Sequence, residues 1–554
     1  MAPFPSNPFV TPLLTDLYQI TMAYAYFREG RHLMPATFDL FFRRNPFQGE
    51  YTVFAGLADV LRYLQHAFQF TEQHIEYIRR HPSFAGADQL EPFLAFLLSE
   101  TCTARAVQLR ALDEGAVCFA GVPLLRVDGP LAVCQLLETT LLTLVNYSTL
   151  VATNAARHRV AAGERVQLVE FGLRRAQGPD GGMRAARYAY LGGFDATSNV
   201  MAGLAYGIPT RGTHAHSFVQ SYSGAELQWQ QPPPSNGPTA DASRAAFEAR
   251  VRQIRDEVVH PVLMHQFQVS AQSSNESELA AFVAYALAFP DAFLALVDTY
   301  DTLTSGVPNF LAVALALEQA GHPPLGIRID SGDLAHISME ARRMFKAVAP
   351  ASTYRIFASS DLNEDTLYAL REQGHSIDAF GIGTHLVTCL KQPALGCVYK
   401  LVQVMHSPRI KVSEEPSKTT VPGRKRVFRL FGKDRAQPMI DLMMLEEEEA
   451  PQVGQRMLCC HPFEEHKRCY MTPAHVEEIL RPVWVDGGIV PEADGDDAEL
   501  LQRARARCTA QVRALRYDYK RPLNPTPYKV SVTKSLFRLI HQLWLNEAPI
   551  RELS

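Results

Sequence analysis

At 554 residues the chain is longer than one hydrophobic core usually serves, so at least two domains are expected. With 47% hydrophobic and 20% charged residues it has the make-up of a folded protein, not a disordered one. Its 54 basic and 58 acidic residues leave a net charge of -4, which excludes a general basic field for nucleic acid or an anionic membrane; an anionic ligand must be held by local groups.

The first basic residue, Arg28, comes too late for a secretory n-region or an Arg-rich transit peptide, and a cytosolic protein is expected. Residues 1–135 mix helical patterns (LLTDLYQITMAYAYF; YTVFAGLADVLRYLQHAF) with short strands (ATFDLFF; VQLRAL), an α+β pattern. The apolar run Leu136 to Ala156 is interrupted by Glu138, Asn146 and Asn154, which predicts a buried helix and not a membrane span.

From about residue 165 short β-rich runs end in polar or glycine residues and lead into helical segments. The runs are RVQLVEFGLRR, GIPTRGTHAHS, FLALVDTYDT, LGIRIDSGDL, YRIFASSDLNED and IDAFGIGTHL. Between them AYLGGFDATSNVMAGLAYG, NFLAVALALEQAG, ISMEARRMFKAVA and NEDTLYALREQG carry helical periodicity. The pattern predicts an α/β fold, an irregular β/α barrel over 136–395, whose strand tips share one rim. The Pro- and Gln-rich stretch at 223–243 reads as a flexible insertion. Beyond 395 hairpin-like strands follow (CVYKLVQVMH, RIKVSEE, KRVFRLFG, PMIDLMML), and 396–554 is expected to pack with the N-terminal part as a second α+β domain.

The tips carry the candidate chemistry. Glu170 precedes Gly172, Arg174 and Arg175, and guanidinium forks beside glycine suit a phosphate clamp. Thr213, His214 and His216 follow; an H-x-H pair on a strand presents both rings to one face, the metal grip of a barrel hydrolase. Arg328, next to Asp330 and Asp333, counts against that reading, because a fixed cation aimed into a metal site is costly. Asp298, Asp301, Ser359, Ser360 and Asp361 suit ribose hydroxyls or a water-bridged magnesium ion. Gly381, Gly383 and Thr384 fit main-chain amides around a terminal phosphate. The nine cysteines are read as reduced thiols; CCHPFEEHKRC, at 459–469, lacks the C-x-x-C spacing of a zinc knuckle.

Several of these stretches carry a resemblance. LLTDLYQITMAYAY, ATFDLFFRRNPF, LVATNAARHR, EFGLRRAQGPDGG, YLGGFDATSNVMAG, GTHAHSFV, PNFLAVALAL, RIDSGDL and FGIGTHLVT, in that order, and the later YKVSVTKSLFRLI, resemble the nicotinate phosphoribosyltransferase family. The resemblance implies transfer of a ribosyl group from 5-phosphoribosyl 1-diphosphate to nicotinate, with magnesium, or manganese in its place. It also implies coupling to ATP hydrolysis through a phosphohistidine, and a homodimer with its active site near the interface. By the same resemblance His216 is the phosphohistidine and Arg174 an active-site arginine. Tyr18, Thr213 and Arg328 would contact nicotinate; Thr384, Gly383, Asp330 and Asp361 would contact the phosphoribosyl diphosphate. The alternatives are the nicotinamide-using relative and the barrel metallohydrolase; FGLRRAQGPDGG and YLGGFDATSN look more like the nicotinate group. The chain departs from the family pattern in the 223–243 stretch and in roughly its last 150 residues.

Overall fold

A computed structural model describes residues 7–223, 238–413, 415, 418–433 and 437–547. The N-terminal helix Leu17–Arg28 leads into the strand Pro35–Phe42, which pairs antiparallel with Leu125–Pro130 on one side and with Cys397–Val404 on the other. Strands distant in sequence therefore alternate in one seven-stranded antiparallel sheet, which also holds Gln108–Ala111, Arg481–Val485, Gly488–Ile489 and Ser407–Pro408. A separate sheet is built wholly from the C-terminal part, with Pro438–Leu445 beside Lys425–Phe431 and Lys529–Val532.

Behind the first sheet runs the helix Glu138–Ala162, buried over most of its length as expected. It passes so close to the end of the helix Gly178–Leu191 that a Cβ on Gly192 would lie 2.4 Å from the Ala152 carbonyl oxygen. The helical pattern predicted over 189–207 stops at Leu191, just before Gly193 takes φ +109°, and a two-residue strand, Ala196–Thr197, interrupts it before the helix Val200–Tyr206.

The expected parallel sheet is present, with one strand exchanged. Its order is Ala196–Thr197, Gln167–Glu170, Ala379–Ile382, Arg355–Ser359, Gly326–Ile329, Leu294–Leu296, and every pairing is parallel. GIPTRGTHAHS, expected as a strand, contributes a single bridge from Thr210 to Thr197. Past that bridge its side chains replace the ladder. The Thr213 hydroxyl donates to the Leu294 carbonyl, and the Leu296 amide donates to His214 Nε2 at 3.2 Å. Residues 210–214 thus bridge the two edges of the sheet.

Two further expectations shift. RIKVSEE forms no strand over its described residues; the chain instead turns at Met405 and His406, both at positive φ, into Ser407–Pro408. The insertion expected at 223–243 falls mostly outside the described residues, and its end, from Pro238, belongs to the helix Pro238–Ile254. Among the described residues no helix is long and apolar enough to cross a membrane.

Candidate active site

The carboxyl ends of the parallel strands bring together residues from four separate stretches. Arg328, on Gly326–Ile329, donates from Nε to Ser359 Oγ at 2.8 Å and from Nη2 to Asp330 Oδ1 at 2.9 Å, while the Ser359 hydroxyl donates to the same Asp330 oxygen. Its guanidinium lies 5.2 Å from the Phe171 ring centroid, within cation–π range. Phe171 fits there because position 381 is glycine: a Cβ on Gly381 would lie 2.4 Å from Phe171 Cδ2. Gly381 therefore serves to admit a ring. Among the described residues Nη1 of Arg328 has no protein partner, which leaves an oriented cation edge for a carboxylate.

His216 begins the short helix His216–Gln220 and is 40% exposed, open to a ligand. Its Nδ1 lies 3.1 Å from Thr299 Oγ1; its Nε2 faces Asp298 Oδ1 at 4.0 Å and Asp330 Oδ2 at 3.9 Å. The Asp298 carboxylate is buried, with Oδ2 accepting from the Asp330 amide at 3.1 Å and the Ser331 hydroxyl at 2.5 Å. Its Oδ1 is buried without a hydrogen-bond partner, on the side of His216. Thr299, Ser331 and Phe171 were not singled out from the sequence; the one signal was that each adjoins a residue that was.

His214 takes the opposite environment. It packs against Phe218, Phe282 and Tyr285, with ring centroids 4.9 to 5.9 Å away, and burial pushes its imidazole down to about 4. With Nε2 accepting an amide proton it has no lone pair there for a metal, and the two histidines do not share a face. The H-x-H grip fails because residues 214 and 216 are not on a strand. Among the described residues no group of three or more His, Cys, Asp or Glu side chains could hold a metal ion.

The remaining candidates divide. Asp301 and Asp333 cap helical turns, accepting from the amides of Thr304 at 2.8 Å and His336 at 3.0 Å. Glu170 is buried and accepts from the Thr197 hydroxyl at 2.5 Å and from the Gly172 amide, so it ties two strand ends together. Arg174 and Arg175 stand exposed on the turn Leu173–Arg175. Gly383 and Thr384 lie beside them, since a Cβ on Gly172 would meet the Gly383 carbonyl oxygen at 3.0 Å. Ser360, at φ +146°, and Asp361 are exposed beyond Ser359. Tyr18 stands apart: it is half-exposed on Leu17–Arg28, where burial and the charges of Glu138 and Asp16 raise its phenol above the usual value. A cavity of about 1000 Å³ lies elsewhere, lined by Asp39, Arg43, Tyr528 and Trp544, and none of its lining residues is a strand tip.

A parallel sheet whose carboxyl edge gathers a histidine, two facing carboxylates and a ring-backed arginine has the make-up of an α/β enzyme's active site. Comparison with known proteins narrows this. Three family descriptions match: the nicotinate phosphoribosyltransferase N-terminal domain over residues 13–146, the family itself over 318–445 and its C-terminal domain over 424–540. The chain is 50% identical to nicotinate phosphoribosyltransferase 1 of Arabidopsis thaliana, over 99% of this chain and 96% of that protein. It is 43% identical to the Homo sapiens nicotinate phosphoribosyltransferase, over 97% of each. The crystal structure of human nicotinic acid phosphoribosyltransferase superposes with a TM-score of 0.80 at 41% identity, covering 96% of this chain and 99% of that one. The chain belongs to the nicotinate phosphoribosyltransferase family, and it is an enzyme of that kind.

Proposed function

We propose that the enzyme joins nicotinate to the ribosyl group of 5-phosphoribosyl 1-diphosphate, giving nicotinate mononucleotide and diphosphate for the synthesis of NAD in the cytosol. The observation that carries this reading is the Arg328 arrangement beside His216, in a chain 50% identical to a relative bearing that name. Arg328, held by Ser359 and Asp330 and backed by Phe171, pairs with the nicotinate carboxylate and orients the ring nitrogen toward C1 of the ribose. A carboxamide offers this edge no charge, which favours the acid over nicotinamide. The Thr213 hydroxyl is engaged with Leu294, so its contact with nicotinate is assigned to the main chain. Arg174, Gly383 and Thr384 take the phosphate groups, and Asp330 and Asp361 the ribose.

In the transfer step the bond from C1 to the diphosphate oxygen breaks as the nicotinate nitrogen forms the new bond, and positive charge builds on the sugar. Magnesium, when bound, neutralises the diphosphate leaving group. The donor set fits it only as an ion carried by phosphate: the unpartnered Asp298 oxygen and the exposed Asp361 offer one or two carboxylates, not a full cage.

ATP enters through His216. The two carboxylates facing Nε2 favour the tautomer with its proton there, which puts the lone pair on Nδ1, 3.1 Å from Thr299 Oγ1, where the hydroxyl turns aside as the γ-phosphate enters. Nδ1 attacks the γ-phosphorus, ADP leaves, and water later cleaves the nitrogen–phosphorus bond to release phosphate.

The sheet bridged by residues 210–214 is read as the irregular barrel, within a division of the chain at 1–135, 136–395 and 396–554. Supporting it, the parallel sheet draws strands only from the middle piece and the seven-stranded sheet from the outer two. A homodimer, with Tyr18 reaching the partner's rim, accounts for a substrate contact that stands apart within its own chain.

Purified protein given nicotinate, 5-phosphoribosyl 1-diphosphate and magnesium should form mononucleotide, faster with ATP, and should use nicotinamide poorly. His216→Ala should abolish the ATP stimulation and keep a basal rate. Equal use of nicotinamide would overturn the specificity, and undiminished stimulation in the variant would overturn the role of His216.

A further inference from the structure

The stretch Asn275-Glu276-Ser277-Glu278 has the form of a helix start, with Asn275 as N-cap and an acid three residues on. Asn275 Oδ1 accepts from the Glu278 amide at 3.0 Å as such a cap should. The reciprocal half, in which the acid bonds the N-cap amide, is missing. Ser305 is inserted into it: its hydroxyl oxygen accepts from the Asn275 amide at 2.9 Å and its proton is donated to Glu278 Oε2 at 2.7 Å. Asn309 closes the ring, donating from Nδ2 to the Asn275 carbonyl at 3.0 Å and to Glu278 Oε2 at 3.1 Å.

An acid at this helical position is ordinarily solvated. Glu278 is fully buried, as are Ser305 and Asn309, and Glu278 Oε1 and Asn309 Oδ1 are left without partners. Such a cluster is costly unless what it holds matters. Ser305 belongs to the wide turn Thr302–Gly306 that follows the Leu294–Leu296 strand, a turn type frequent at functional sites. The turn folds back onto the residue before Asp298: a Cβ on Gly306 would lie 1.9 Å from the Val297 carbonyl oxygen. The turn is therefore clamped through Ser305 by Glu278 on one side and braced through Gly306 against Val297 on the other. The helix Glu276–Ala288 that carries Glu278 also packs, through Phe282 and Tyr285, on His214, and through Tyr285 on Phe218, next to His216.

We propose that Glu278 is a positioning residue, which by holding Ser305 and Asn309 sets Asp298 and Thr299 against His216 for the phosphoryl step. This rests on the reading of His216 given above. Burial, with Asp298 and Asp301 adding their charges, pushes the Glu278 carboxyl up to about 7, so a neutral side chain that keeps the acceptor oxygen is a close stand-in for it.

Glu278→Ala, Glu278→Gln and Ser305→Ala are compared in the full-length enzyme by mononucleotide formation with and without ATP, by trapping of phosphoenzyme from γ-labelled ATP, and by thermal unfolding. In Glu278→Ala the ATP-stimulated rate and the phosphoenzyme should fall about 10- to 100-fold while the ATP-free rate, which draws on Asp298 only through magnesium, falls far less. Glu278→Gln should recover most of both. Ser305→Ala should reproduce the loss, and combining it with Glu278→Ala should add little. Should Glu278→Ala fail to fold, Ser305→Ala carries the same comparison. Loss of both rates in equal proportion, or an unaltered phosphoenzyme level, overturns the proposal. Absence of phosphoenzyme in the parent overturns instead the reading of His216 on which it depends.

Discussion

His214 and His216 are two residues apart and chemically opposite. His216 is open to solvent between two carboxylates, whereas His214 is buried among three aromatic rings and must stay neutral to accept the Leu296 amide. Its pKa is lowered from 6.5 to about 4, so the unfolded chain takes up the proton first. Stability contributed by this residue is intact above pH 6.5 and is lost as pH falls toward 4, amounting to about 3 kcal/mol. A denaturant titration series across that range should show a shallower acid slope in His214→Gln, after allowance for a uniform loss; identical slopes would remove His214 as an acid-sensitive element. The same division runs through the aspartates. Asp298 and Asp330 face His216, while Asp301 and Asp333, one short turn further along each tip, are consumed as caps.

At the scale of elements, the site depends on how tightly neighbouring strand ends are packed. Gly381 on one strand admits Phe171 from the end of the next, and Phe171 supports Arg328 three strands further along the sheet. In Gly381→Ala the added methyl must push the ring aside, which should destabilise the protein by about 1–3 kcal/mol and raise the KM for nicotinate. The double change Phe171→Ala with Gly381→Ala should restore part of the melting temperature but not the KM. A KM unchanged in both variants would mean that Phe171 does not orient Arg328. The segment 210–214 belongs to this scale too, because the sheet's edges are joined by side chains where a regular strand would use its backbone.

Across the whole molecule, the two ends of the chain are fastened together by buried charge. Asp39, on the first strand, meets Lys425, on the C-terminal sheet, at 2.8 Å with both side chains nearly inaccessible. Lys425 Nζ also donates to the carbonyls of Val421, at 2.8 Å, and Gly423, at 2.6 Å. Lys425→Met would leave the buried Asp39 carboxyl without its partner, a loss of about 3–5 kcal/mol, and pairing it with Asp39→Asn should return much of that in thermal unfolding. If the single and double variants unfold alike, the pair does not fasten the two ends.

How much of this was legible follows from what each signal depends on. Helices such as Leu17–Arg28 and Glu138–Ala162, and five of the six parallel strands, were readable because periodicity and burial act over neighbouring residues. The exchange of GIPTRGTHAHS for Ala196–Thr197 was not, since one forms a strand of only two residues and the other a single bridge, too short for alternation to show. By itself the sequence determined the family, the repeating strand–tip–helix order and the residue types at the tips. Tertiary structure alone decided which tip residues meet. That Asp298 faces a histidine while Asp301 caps a turn, that Glu278 is sealed inside instead of solvated, and that residue 39 pairs with residue 425 are all contacts between distant segments. A side chain's partners and its water are set by what folds against it, and no local pattern encodes that.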